Sequence, residues 1–141
     1  MKNLYLVFFI YLFLNSKNTF ADFGYDLCLY KANQSKITLK VPTKIDEVTT
    51  LVDIKCIDSI PTKLQFQNHY ANKLNNLNKP LVDDYMKKNV FPNITKTWCT
   101  NPDFFRTLEM FDIEFTYNDM NGLALLSHKV SLKDCSDIIK N

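Results

Sequence analysis

The chain has 141 residues, 46% of them hydrophobic and 23% charged, with a formal net charge of +2. Lys2 and Lys17 lie in an apolar leader that holds no acid, so the remainder is balanced between acidic and basic residues. Proteins that track phosphate backbones or anionic lipid carry a basic excess, so this balance speaks against nucleic-acid binding. The length left after the leader is that of one domain with one core.

In chain order, Met1-Lys2-Asn3 opens into an unbroken apolar run from Leu4 to Leu14. Polar Asn15 to Asn18 follow, then Thr19-Phe20-Ala21. That is the order of a cleavable secretory signal peptide, with the cut expected after Ala21. An apolar run of about 11 residues falls short of the roughly 20 that span a bilayer, so no permanent membrane anchor is expected. Tyr25-Asp26-Leu27 before the first cysteine lacks the small residues of a lipid-attachment site. The organisation expected is a signal peptide over 1–21 and a single domain over 22–141.

From Asp22 to Asn33 the spacing predicts a short helix. Ile37, Leu39 and Val41 alternate with Thr38 and Lys40 as in a strand, interrupted by Pro42. Thr49 to Ile57 is rich in β-branched residues and reads as a strand with Val52, Ile54 and Cys56 on one face. Asp58 to Pro61 is turn chemistry, and Thr62 to Tyr70 returns with Leu64, Phe66 and Tyr70 alternating. These two strands make an antiparallel hairpin. The polar stretch Asn72 to Lys79 reads as a surface loop. Pro80 then suits a helix start, and Leu81, Val82, Tyr85, Met86 and Val90 recur at helical spacing until Pro92 ends the helix. Asn101 caps a second helix with Pro102 and Asp103 in its first turn and Phe104, Phe105, Leu108 and Phe111 on one face. Ile113, Phe115 and Tyr117 alternate as a half-buried strand. Asn121-Gly122 supplies positive φ angles for a turn, and Leu123 to Leu132 completes a second hairpin. Ser136 to Asn141 reads as a frayed tail. The fold class expected is α+β: an antiparallel sheet of two hairpins with helices packed on one face, stabilised by disulfides.

The four cysteines, Cys28, Cys56, Cys99 and Cys135, all follow the leader. An even count in an exported domain reads as two disulfides, for which three pairings are possible. Cys99 stands just before the second helix and Cys135 just after the last strand, so a bridge between them would tie both ends of that half and leave Cys28 with Cys56. No CxxC and no His-rich run accompanies them, which argues against zinc and against thioredoxin-like chemistry.

His69 and His128 are the only histidines. Each could serve as a general base, but that role needs a nucleophile and an orienting acid nearby, and a strand face is the plainer placement. Asp46-Glu47 and Asp83-Asp84 are acid pairs, yet sequence neighbours point apart, and Asp83-Asp84 suits a helix start. Asp119 and Asn121 resemble a fragment of a calcium loop without its closing glutamate, so a turn is expected. Trp98 beside Cys99 would pack on a disulfide or anchor a partner. No catalytic, cofactor-binding or metal-binding residue is assigned.

Several segments together resemble the quorum-sensing-regulated virulence factor family of small exported bacterial proteins. They are Val41 to Ile54, Leu64 to Tyr70, Trp98-Cys99 with Asn101-Pro102, Arg106 and Leu108, Phe115 to Gly122, and Asp134-Cys135. The similarity spans about residues 37–135. Phe111-Asp112 stands where a glycine would end the helix, and Cys28 and Cys56 look like additions to the pattern. The resemblance implies an exported, non-enzymatic α+β domain acting in host or envelope interactions, with no catalytic residue to carry over.

The function expected is therefore a periplasmic or secreted interaction domain with a protein partner, no cofactor and no enzymatic activity. Two other classes stay open. An inhibitor or immunity protein would show a protruding loop with a rigid apolar tip, at Ile57 to Pro61 or Asn72 to Lys79. A small hydrolase would bring His69 or His128 against an acid and a nucleophile in a concave site.

Overall fold

The computed structural model describes residues 23–71 and 78–139. The leader with its cleavage site, and most of the polar stretch before Lys79, lie outside them. Among the described residues no helix is long and apolar enough to cross a membrane.

Helix α1 occupies residues 23–39, longer than its predicted span. Its end is closed by two backbone bonds, Val41 N to Lys36 O at 3.0 Å and Lys40 N to Ile37 O at 3.2 Å, with Lys40 at φ 52°. This is a Schellman closure with lysine where glycine is usual. It replaces the strand expected at Ile37, Leu39 and Val41. Three alternating apolar residues also suit a last helical turn that leaves the core, and Ile37 is accordingly 72% exposed.

The sheet has five strands in the order β1-β2-β3-β4-β5: β1 Thr43–Lys44, β2 Thr49–Ile57, β3 Lys63–Tyr70, β4 Asp112–Asn118 and β5 Ala124–Val130. Both predicted hairpins are present as β2–β3 and β4–β5, but β3 and β4 lie parallel. The sheet is thus mixed, not purely antiparallel. The helical segment between the hairpins is the kind of long crossover that parallel neighbours require.

That segment runs through α2 (Lys79–Tyr85), a π-helical turn (Met86–Val90), α3 (Phe91–Thr100) and α4 (Pro102–Leu108). Pro92 does not end the helix as expected. The Phe91 N–H bonds Met86 O, five residues back, and this widened turn places Pro92 in the first turn of α3, where a missing donor costs least. Helix α4 begins as the sequence indicates: the Asn101 side chain accepts from the Asp103 and Phe104 amides at 3.0 and 3.3 Å. Residues 132–139 form α5 rather than the end of a strand and a frayed tail. Asp134 Oδ2 accepts from both Ser131 N and Ser131 Oγ at 2.8 Å, and the Asp134 amide donates to Ser131 O at 3.1 Å, which closes the start of the helix.

Three cross-strand rows face the helices. Cys56, Leu64, Ile113 and Val130 form the first; Ile54, Phe66, Phe115 and His128 the second; Leu51, Asn68, Tyr117 and Leu126 the third. A bulge between Leu51 and Asp53 lets Leu51 join Ile54 and Cys56 inside, so Val52 leaves the face predicted for it. Ile54, Ile113 and Val130 are fully buried and pack with Cys28 and Ala32 of α1, Trp98 of α3 and Leu108 of α4. Each such side chain contributes roughly 1.5–3 kcal/mol. The other face carries polar rows, among them Lys55, Gln65, Glu114 and Lys129, with Gln65 Nε2 donating to Glu114 Oε2 at 2.7 Å.

Cys28–Cys56 ties α1 to β2 and Cys99–Cys135 ties α3 to α5. Cys99 lies at the end of α3 and just before the Asn101-capped helix, as expected, whereas Cys135 lies inside α5 rather than just after a strand.

Candidate functional site

At the end of the sheet distal to the disulfides, the helical crossover stands away from the strands and leaves a cavity of about 800 Å³. Its floor is the inward parity of three strands: Leu51 of β2, Phe66, Asn68 and Tyr70 of β3, and Phe115 and Tyr117 of β4. Its wall is Val82, Met86, Val90 and Ile94. These are spaced by four, a pattern that drifts around a helix with 3.6 residues per turn. The wide turn at Met86–Val90 absorbs that drift and keeps all four on one side. At the mouth stand Ile45 and Val48, before β2, with Leu81 and Tyr85 of α2. They are 59%, 47%, 72% and 60% exposed, so the apolar lining continues onto the surface.

Polar side chains interrupt the floor, Asn68 and Tyr70 among them. Asn68 is 1% exposed. Its Nδ2 donates to Phe66 O at 3.4 Å and Thr116 O at 3.3 Å, while its Oδ1, buried, accepts from no protein group. Tyr70, two residues on and on the same side of β3, has a buried hydroxyl that is likewise without a protein partner. Its ring stacks on Tyr117 at 5.7 Å. Burial is the main reason that both phenols are held above their ordinary range, Tyr117 to about 12, with the negative charge of Asp46 adding to it. Both hydroxyls therefore stay protonated at neutral pH. Asp46 is the acid at the mouth, and its Oδ1 accepts from the Val48 and Thr49 amides at 2.8 and 2.7 Å. Among the described residues lining the cavity there is no Lys, Arg or His.

The residues singled out by sequence lie elsewhere or serve structure. His69 belongs to the polar parity of β3 and meets Asn118 Nδ2 at 3.4 Å; His128 faces the helices, its Nε2 2.8 Å from Thr95 Oγ1 and its ring stacked on Phe91 at 4.4 Å. The two histidines are thus on opposite faces. Asp83 and Asp84 each pair with a lysine one turn away, Lys79 and Lys88, at 2.9 Å. Asp119 closes the β4–β5 turn by accepting from the Asn121 and Leu123 amides at 2.8 and 2.9 Å, and the positive φ there is at Gly122 rather than at Asn121. Trp98 is core: it meets Phe66 edge-on at 5.8 Å and stacks on Phe104 at 4.8 Å. Asn68 and Tyr70 were not marked as site residues. The available signal was an asparagine at the inward parity of a strand that otherwise places Leu64, Phe66 and Tyr70 there.

A second feature stands at the opposite end of β2. In the β2–β3 turn Ile60 is 99% exposed, and Ser59 Oγ donates to Pro61 O at 2.8 Å, bracing the tip.

No protein-family model matches the chain, and no curated protein matches it in sequence. Solved structures do resemble it. A "putative secreted protein" from Pseudomonas aeruginosa superposes with a TM-score of 0.66 at 11% identity, over 82% of this chain and 96% of that one. The type 2 secretion system pilotins of Vibrio vulnificus and Vibrio cholerae superpose at 0.49 and 0.48, with 10% and 13% identity, over 79% of this chain and 94% and 92% of theirs. The first of these likenesses shows a shared fold.

Proposed function

We propose that this chain is an exported, non-enzymatic binding domain, periplasmic or secreted, that receives an apolar ligand or partner segment in the cavity between the sheet and the α2–α3 wall. The carrying observation is the cavity itself: an apolar floor and wall that continue into an exposed apolar rim at Ile45, Val48, Leu81 and Tyr85. Concave apolar sites with a few placed polar groups are the general form of binding sites, and apolar patches left at a surface mark contacts with something else. Export is supported by the leader and by two disulfides, which suit an oxidising compartment. The motif resemblance to exported virulence-associated proteins agrees with the same reading.

A second reading is an inhibitor or immunity protein, favoured by the braced, fully exposed Ile60 at the hairpin tip. The two are separated by photo-crosslinking in the native cells, with p-benzoylphenylalanine in place of Leu81, Ile60 or, on the polar face, Gln67. The expected result is an adduct at position 81 and none at 67. An adduct at position 60 alone would transfer the function to the hairpin tip, and no adduct at either would overturn both readings.

A further inference from the structure

We infer that the free edge of β5 pairs with the same edge of a second copy of this chain, antiparallel about a two-fold axis at Ser127, so that two five-stranded sheets join into one. This is independent of the cavity, whose described lining includes no residue of β5.

The two edges of the sheet are finished differently. An edge strand presents a row of unpaired backbone donors and acceptors, which proteins cover, shorten or blunt with proline or inward-pointing charge. At one edge, β1 pairs with Thr50 and Leu51 of β2, and α1 is fastened to the rest of that strand by Cys28–Cys56 and by the Lys36–Asp53 ion pair at 2.7 Å. β5 is the other edge, and among the described residues it pairs with β4 alone. Its residues, Ala124–Val130, include no proline, and their one lysine, Lys129, stands opposite Glu114 on the polar face rather than pointing inward. Leu126 and His128 are on the inward side and still only half-buried.

The edge is complementary to itself. In a two-fold pair, residue i of one copy meets j of the other and j meets i, and antiparallel strands set residues of the same face opposite one another. With Ser127 on the axis, Leu126 stands opposite His128 of the other copy on the helix side. On the outer side Leu125, which borders a shallow depression there with Gln65, Thr116 and Ser127, stands opposite Lys129 of the other copy. The methylene stem of a lysine covers a leucine well, and no charge in this register meets its like. The flanks agree. Leu123 just before β5 and Leu132 just after it are 65% and 42% exposed. The antiparallel arrangement brings Leu123 of each copy to the strand end that carries Leu132 of the other, so exposed apolar side chains meet at both ends of the pair. A foreign strand could take the same backbone bonds, but it would leave this symmetry unused.

The test follows the purified exported protein by sedimentation equilibrium up to about 1 mM, where a monomer–dimer equilibrium should appear. Leu125→Lys sets a lysine against Lys129 at both ends of the pair and should weaken the dimer about tenfold, whereas Leu125→Glu sets an acid there and should hold it at least as tightly as the wild type. Both variants should keep the wild-type thermal midpoint at dilutions where the monomer prevails. Should a change at position 125 disturb the fold, Ser127→Cys decides: on the axis it meets its own copy and should oxidise to a disulfide-linked dimer, with Cys28–Cys56 and Cys99–Cys135 intact by peptide mapping. Lys129→Cys, which faces Leu125 instead of itself, should not. A chain that stays monomeric over the whole range would overturn the inference and return the edge to an extended segment of another protein. A dimer that Leu125→Lys leaves undiminished, equal losses with lysine and glutamate, or cross-linking at 129 as readily as at 127 would overturn it as well.

Discussion

His128 shows how a single residue's surroundings set a measurable property. Its ring is stacked on Phe91 and half-buried, and burial holds its pKa below the ordinary value, against the pull of Asp134 and of the bond to the Phe91 backbone. A histidine with a lowered folded-state pKa favours the neutral form in the fold. Its contribution is complete above the unfolded-state value of about 6.5 and is lost as pH falls through the folded value. The thermal midpoint should therefore drop between about pH 7 and 5, and His128→Gln should flatten that slope; an identical slope in the variant would assign the acid sensitivity to other groups. Sequence placed His128 on a strand face but could not give it Phe91 or Thr95, which arrive from a helix more than thirty positions earlier. The same limit applies to the candidate site. Leu81, Val82, Tyr85, Met86 and Val90 were legible as an apolar helical stripe, and a stripe reads as core. Whether it closes on the sheet or stands off it depends on the distance between two elements, which no periodicity encodes.

Elements were legible where their punctuation was local. Asn101-Pro102-Asp103 carries its own cap, and β2 begins and ends where its β-branched run does. The misreadings share a cause: a stop or start signal in unusual dress. At the end of α1 the left-handed residue is Lys40, so no glycine announces the closure. At Pro92 the proline follows a π-helical turn that removes the clash a regular helix would suffer. At Ser131 the cap uses aspartate where glutamate is the usual partner. Lys40 yields an expected outcome. A side chain in the left-handed region costs about 1–2 kcal/mol, and glycine gives back about 0.4–1 kcal/mol through a freer unfolded chain. Lys40→Gly should thus stabilise the protein by roughly 0.5–1 kcal/mol in urea denaturation with the slope unchanged. Destabilisation would mean that α1 does not end in this closure.

At the scale of the molecule, the two disulfides secure separate parts of one core. Cys28–Cys56 closes a loop with a sequence separation of 28 over α1 and β2, and Cys99–Cys135 one of 36 from α3 to α5. The loops follow one another along the chain and do not interlock, so each bond restricts a different stretch of the unfolded ensemble. By loop closure each is worth about 3.5–4 kcal/mol. Together they match much of the roughly 5–15 kcal/mol by which a domain this size is stable. Replacing either pair with alanine should leave a folded protein with a lower urea midpoint, and replacing both should leave it largely unfolded at 37 °C. Within one pair, Cys99→Ser and Cys135→Ser should not add, because each breaks the same bond. Between pairs the losses should add to within about 0.5 kcal/mol. A larger coupling between the pairs would show that the bridged segments constrain each other before the chain folds, and the account of two independent staples on a shared core would have to be given up.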